Sequence, residues 1–324
     1  MKLALLCALV ALAFIAALAL GDQPVPPGEV IGALFGAEDV PTPSRIIVTE
    51  LRLPRAVTAL LVGAALAVAG TLAQAVMRNP LADPGIVGIN AGAALAAMVV
   101  IVQVGSLPET ALPWLTFAGA LAMAVLIYAF AWRQGTTGTR IILVGIGLSA
   151  LAGAGASAIS VFGEPAYVQR AMVWLAGSLQ DSRWEKLPHL LGWSLPPALL
   201  AWAAARELDL IALGDDVAQG RGQPVNLARA LAILACAMLS GAAVAAAGLV
   251  AFVGLAAPHI ARALTGPRHA RLIPAAAFVG AALLLTADIA ARRTAPPLQL
   301  PVGLVTALLG APFFAFLLWN RRND

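Results

Sequence analysis

Between Arg229 and Arg262 the chain carries no Asp, Glu, Lys or Arg. A single helix over that stretch would reach roughly 46 Å at 1.5 Å per residue, against a hydrocarbon core of about 30 Å. Two full crossings would need about 40 residues. The two flanking arginines therefore face one side of a bilayer. The chain between them reads as a hairpin with one short or partly unwound arm. Gly241, Gly248, Gly254 and Pro258 are the candidate breakers.

The same pattern runs through the chain. Of 324 residues 61% are hydrophobic and only 11% charged, where a soluble domain has about 45–50% and about 25%. That little charge cannot cover a folded surface in water, which excludes a soluble enzyme and a disordered chain. The basic residues are scattered singly, so the net charge of +4 does not point to nucleic acid. About 198 apolar residues at about 20 per crossing allow about ten membrane helices. Candidate spans are 3–20, 53–77, 86–104, 113–132, 141–162, 187–205, 227–247, a short segment within 249–264, 272–291 and 301–319. The first resembles a signal peptide, with Ala17-Leu18-Ala19 as a cleavage site. Its apolar run exceeds the usual 7–15 residues, which favours a retained helix. With both termini inside, inner loops hold more Arg and Lys than outer ones, Lys2, Arg78, Arg229, Arg262, Arg321 and Arg322 among them. Acids such as Asp22, Glu50, Glu109 and Asp181 collect outside.

Catalytic signatures are missing. No Gly-x-x-x-x-Gly-Lys-Ser/Thr is present, so the chain has no P-loop for ATP. His189, His259 and His269 are scattered and form no metal or nucleophile pattern, and each reads first as a structural histidine. Cys7 and Cys236 lie in apolar runs and read as small buried side chains. Enzymatic catalysis by this chain is not expected, nor is a cofactor.

Four features remain. The segment 61–70 echoes 239–248, and continuing the alignment pairs Pro80 with Pro258. Five helices apart, the copies run in opposite directions, the pattern of an inverted repeat; chance in an alanine-rich chain is the alternative. Asp288 is an acid deep in an apolar run, with Arg292 four residues on in the favourable order for a pair. Arg78-Asn-Pro-Leu-Ala-Asp-Pro84 makes a tight inner turn, either a connector or a constriction lining a cavity. Residues 207–226 form the longest inner polar stretch, a solvated loop or a docking surface for a soluble partner.

Arg52-Leu-Pro-Arg55 followed by residues 61–70, then Arg78-Asn-Pro-Leu-Ala-Asp-Pro-Gly85, resembles the permease subunit of type II ABC importers, which carry ferric siderophores, haem and cobalamin. Phe252-Val-Gly-Leu-Ala-Ala-Pro-His259, Ala287-Asp-Ile-Ala-Ala-Arg292 and the block from Leu300 to Phe313 extend the resemblance over nearly the whole chain. It implies an all-α permease of ten helices in one domain, 1–324. It also implies a second copy of the chain, two cytoplasmic ATPase subunits that bind ATP and Mg, and a periplasmic binding protein. By motif, Arg52, Arg55 and Arg292 would form an outer rim that docks the binding protein. The stretch around Gly214, Asp215, Asp216, Gly220, Arg221 and Gly222 would couple to the ATPase, although Arg221-Gly222-Gln223-Pro224 departs from the family's usual sequence. Asn79 and Leu81 in one loop, and Gly138 and Thr139 in another, would form the inner gate, with Gly138 replacing a usual hydroxyl residue. Residues 173–179 with Trp184 resemble the siderophore branch. Haem is the main competitor, with His259 or His189 as candidate contacts, and cobalamin is the third member. An ion-coupled secondary transporter is the more distant rival, for which Asp288 is the one carboxylate in view.

Overall fold

A computed structural model describes residues 2–21, 23–104, 110–133, 135–294 and 298–320. Asp22, Glu109, Arg321 and Arg322 lie outside the described residues. The described chain is all helix and connecting turns. In order, the helices are α1 (Lys2–Ala19), α2 (Pro27–Phe35), α3 (Thr42–Ile46), α4 (Leu53–Met77), α5 (Pro84–Val87), α6 (Ile89–Met98), α7 (Ala111–Ala131), α8 (Gly138–Phe162), α9 (Pro165–Leu175), α10 (Leu187–Ala203), α11 (Ala205–Leu213), α12 (Asp215–Gly220), α13 (Val225–Ala247), α14 (Val253–Thr265), α15 (His269–Arg293) and α16 (Val302–Asn320). π-helical turns at Ile47–Arg52 and Val99–Val104 lead into α4 and extend α6.

Six helical stretches among the described residues are long and apolar enough to cross a membrane: α1, Thr42–Met77, α7, α8, α13 and α15. The composition arithmetic anticipates ten. The shortfall has local causes. The apolar helix Ile89–Val104 is shorter and finishes in a π turn. α10 has 17 residues with Pro196 and Pro197 inside it, which remove two ladder hydrogen bonds. α14 has 13 residues. The uncharged stretch resolves as a long arm and a short one. α13 ends at Gly248 in the left-handed region, and α14 starts after Phe252, a non-glycine residue at φ 65°.

α4 lies at the centre, buried on almost every face and packed chiefly on α15 and α13. Small residues permit the approach. A Cβ on Gly63 would overlap the Gly280 carbonyl, and one on Gly70 would overlap that of Gly254. Close backbone packing of this kind holds helices together in lipid, where apolar burial supplies no preference. The echoed copies use their glycines differently: Gly70 sits inside α4, whereas Gly248 ends α13. α8 lies at the periphery and buries only Gly138, Ile141, Gly145 and Ala152.

Polar contacts sort the helix termini into two ends. At the end called inner, Lys2 Nζ donates to the Leu264 carbonyl (2.7 Å) and Arg262 Nη2 to Gln74 Oε1 (3.0 Å). At the outer end, Trp184 Nε1 donates to the Thr49 carbonyl (3.0 Å).

Candidate functional site: an inner junction and an outer arginine cluster

The inner junction starts where α4 stops. Arg78 takes a left-handed conformation (φ 48°) and caps the helix. Asn79 then folds the turn, its Oδ1 accepting the Leu81 N–H at 2.9 Å. Asp83 Oδ1 accepts the Gly85 N–H at 2.8 Å and starts α5 after the extended residue 83. A Cβ on Gly254, at the start of α14, would press on Asp83 Oδ2 (2.6 Å). Burial holds the Asp83 carboxyl above the usual range, at about 6, against the lowering effect of the Gly85 bond. Asp83 is thus a second withdrawn acid, half-buried in the turn, which the sequence pattern did not single out because it sits outside the apolar runs.

The start of α8 meets this turn from the side. Gly138 opens α8 against the end of α4, where a Cβ would lie 3.0 Å from Met77 Cα. A larger residue there would press on the backbone of Val76 and Met77. Leu81 is half-buried and Thr139 is exposed.

Residues 207–226 are not a solvated loop. They form α11 and α12, joined at Gly214 (φ 122°). α11 buries Ala205, Leu208 and Ile211, spaced three apart, and leaves Leu213 exposed. Asp215 turns inward. Its Oδ1 lies 2.7 Å from Arg229 Nη2 and 3.7 Å from Arg78 Nη2. Arg229 is 1% exposed and also donates through Nη1 to the Thr136 carbonyl. Thr136 N–H donates to Asn226 Oδ1 (3.1 Å), and Tyr128 Oη to the Asn226 carbonyl (2.9 Å). One carboxylate therefore joins α12 to the Arg78–Leu81 turn and, through Arg229, to the 135–139 loop. Asp216, Gly220, Arg221 and Gly222 face outward and are exposed. Arg229, Thr136 and Asn226 were missed as site residues. Arg229 was legible only as the charge that ends an apolar run.

At the outer end, Arg52, Arg55 and Arg292 turn inward and are 5%, 8% and 4% exposed. Arg55 donates through Nε to Asp288 Oδ1 (2.9 Å), its Nη2 lies 2.8 Å from the same oxygen, and its Nη1 reaches Gln299 Oε1 (2.7 Å). Arg292 Nε lies 3.0 Å from Asp288 Oδ2, the i,i+4 pair expected, and its Nη2 donates to the Ala17 carbonyl (3.1 Å). Arg52 donates to the carbonyls of Leu18 (2.8 Å), Ala19 (3.0 Å) and Gln23. The physical reason for the burial is the single carboxylate of Asp288, which draws the two guanidinium groups into the bundle. The sequence supplies the charges at the helix ends but not the direction in which they turn.

A cavity of about 520 Å³ opens among α7, α9 and the end of α13, with Arg170, Trp174, Gln180 and Lys186 in its wall. His189 lies in an adjoining cavity of about 340 Å³ within an aromatic group, 5.2 Å from the Trp114 ring and 5.8 Å from Trp193. His259 meets Phe313 edge-on at 6.1 Å. Among the described residues no three His, Cys, Asp or Glu side chains converge as a metal site.

Residues 9–320 match the profile of the FecCD transport family. The chain belongs to that family. It is 41% identical over 324 residues to the iron(3+)-hydroxamate import system permease protein FhuG of Bacillus subtilis, covering 97% of this chain and 95% of the relative. It is 39% identical to the achromobactin transport system permease protein CbrC of Dickeya dadantii, over 99% of this chain and 92% of that one. The hemin transport system permease protein HmuU of Yersinia pestis is 40% identical, over 85% and 84%. The fold superposes on a solved structure described as a metal-chelate type ABC transporter in an inward-facing conformation. The TM-score is 0.88 at 28% identity, with 98% of both chains covered. As a FecCD-family chain, the protein is a multi-pass, all-α permease subunit of an ABC transporter. It is a transport subunit and not a catalytic enzyme.

Proposed function

We propose that the chain imports a ferric siderophore across a bacterial inner membrane as one half of a homodimeric permease, with both termini cytoplasmic. Ten traverses fit this proposal when α6 with its π turn, α10, the short α14 and α16 are added to the six long spans. Two cytoplasmic ATPase subunits bind the exposed face of α11–α12, at Asp216, Gly220, Arg221 and Gly222. A periplasmic binding protein delivers the chelate to the outer end. Nucleotide-driven motion of α11–α12 reaches Gly214 and Asp215 and shifts the gate residues Asn79, Leu81, Gly138 and Thr139. Differential affinity of the partners for inward- and outward-open states supplies the drive.

The observation that carries this proposal is the position of Asp215, on the segment offered to the ATPase and bonded toward both gate loops. Arg52, Arg55 and Arg292 would serve docking by holding the outer ends of α1, α4 and α15 in place beneath the binding protein. Relatives named for ferric hydroxamate, ferric citrate and achromobactin support the substrate class.

A haem-importing permease is the second reading, favoured by the hemin relative. ATP-dependent uptake by the reconstituted complex, with ferric siderophores, haem and cobalamin offered in turn, decides among them. Uptake that persists without ATP and collapses with an ionophore would instead indicate an ion-coupled carrier.

A further inference from the structure

The α11–α12 segment is fastened to the bundle at a second point, separate from Asp215. Asp209 on α11 faces the first residue of α15. Its Oδ1 accepts the His269 backbone N–H at 2.9 Å and lies 2.6 Å from His269 Nδ1. The histidine is 3% exposed, and its Nε2 has no hydrogen-bond partner among the described residues. Nδ1 therefore carries the proton that the carboxylate accepts. A neighbouring bond points the same way: Trp202 Nε1, near the end of α10, donates to the Ala270 carbonyl at 3.0 Å.

From that anchor α15 runs about 37 Å to the other end, at 1.5 Å per residue. Half-way along, its Gly280 backbone abuts that of Gly63 on α4. At the outer end Asp288 holds Arg55 of α4, and Arg292 reaches the carbonyl of Ala17 on α1. The inner end of α4 carries Arg78, which faces Asp215. Both helices are thus tied to α11–α12 at one end, and to each other in the middle and at the far end. Close packing at Gly63 and Gly280 holds the two helices together at mid-length. Hydrogen bonds and ion pairs at both ends resist separation as well, so the pair passes on a pull as well as a push.

We propose that Asp209 and His269 are positioning residues for transport. They make α15, with α4, a strut that carries displacement of α11–α12 to the Arg55–Asp288–Arg292 cluster at the outer end. The proposal rests on the reading of α11–α12 as the ATPase-docking segment.

The test uses the complete transporter in lipid, with spin labels on Arg293→Cys, at the end of α15, and Phe162→Cys, at the exposed end of the peripheral α8. The distance between them is measured without nucleotide and with ATP and vanadate. His269→Phe and Asp209→Leu are expected to abolish the nucleotide-dependent change in that distance. His269→Gln, which keeps an N–H donor for Asp209, is expected to restore it, so a variant that folds poorly does not decide the outcome. An unchanged nucleotide response in both His269→Phe and Asp209→Leu would overturn the strut. A cysteine at exposed Val217 on α12, cross-linked to the ATPase, separates the two levels. Failure to cross-link in the otherwise native chain would overturn the docking reading and remove the strut's input. Cross-linking with an unchanged outer response would overturn the strut alone.

Discussion

Removing the Asp288 carboxylate tests the outer cluster most sharply. Asp288 and Arg292 have side chains 1% and 4% exposed, and that of Arg55 is 9% exposed, so all three charges are withdrawn from water. Breaking a buried ion pair by deleting one partner costs about 3–5 kcal/mol, because the other charge stays buried. Asp288→Ala strands two guanidinium groups at once and is expected at the upper end of that range. Arg55→Leu leaves Asp288 paired with Arg292 and removes the hydrogen bonds to Asp288 and Gln299, a loss of about 1.5–3 kcal/mol. Since both single changes disrupt the same contact, the double variant should be less destabilised than the sum, with a coupling of about 1 kcal/mol or more. The assay is equilibrium unfolding of the purified permease in mixed micelles, with no binding protein present. A cost below about 1 kcal/mol for Asp288→Ala, or strict additivity with Arg55→Leu, would refute the cluster as an internal clamp. An exposed docking rim would lose binding-protein affinity in Arg55→Leu with its stability intact.

Gly63→Leu should disrupt the α4–α15 contact, because even a Cβ overlaps the Gly280 carbonyl. Overpacking of this kind costs about 1–3 kcal/mol or more, and unfolding in micelles reads it. Asp83 binds its proton more tightly in the folded chain than at its ordinary 3.8, so its contribution to stability is complete below about 4 and is lost as pH rises through about 6. Asp83→Asn keeps the acceptor for Gly85 N–H and should flatten the melting profile between those values; an unchanged slope would show that the carboxyl does not titrate there. Replacing Asp215 and Asp216 with Lys places two positive charges on α12 and removes the Arg229 partner. ATPase co-purification is expected to fall about tenfold or more, as for a buried pair left unmatched, and unchanged association would count against docking at this segment.

The long helices were legible because the bilayer imposes a single length and demands apolar residues throughout. Residues 53–77 and 227–247 were bounded by charge and turn signals that coincide closely with α4 and α13. The short interfacial helices α2, α9, α11 and α12 were not, since none is an apolar run. In α11 the signal was present in the spacing of Ala205, Leu208 and Ile211, but the surrounding polar residues read as loop. Charge position along the chain placed Arg52, Arg55 and Arg292 at one end of the bundle. The i,i+4 pair of Asp288 with Arg292 was legible in the sequence, but the pairing of Asp288 with Arg55, 233 residues away, leaves no local pattern. For the same reason Arg229 appeared only as punctuation, while the fold makes it the link between Asp215 and the 135–139 loop.

The central claim is that the Asp215 junction couples the ATPase-facing segment to the inner gate. Arg229→Gln tests it most directly, because Arg229 lies inside the junction and offers nothing to the ATPase. The complete transporter is reconstituted in vesicles, and ATP hydrolysis and chelate uptake are measured in the same preparation. The account predicts that the ATPase stays bound and hydrolysis continues while uptake per ATP falls about tenfold, a coupling loss of about 1.4 kcal/mol. Uptake per ATP equal to that of the native chain would contradict it.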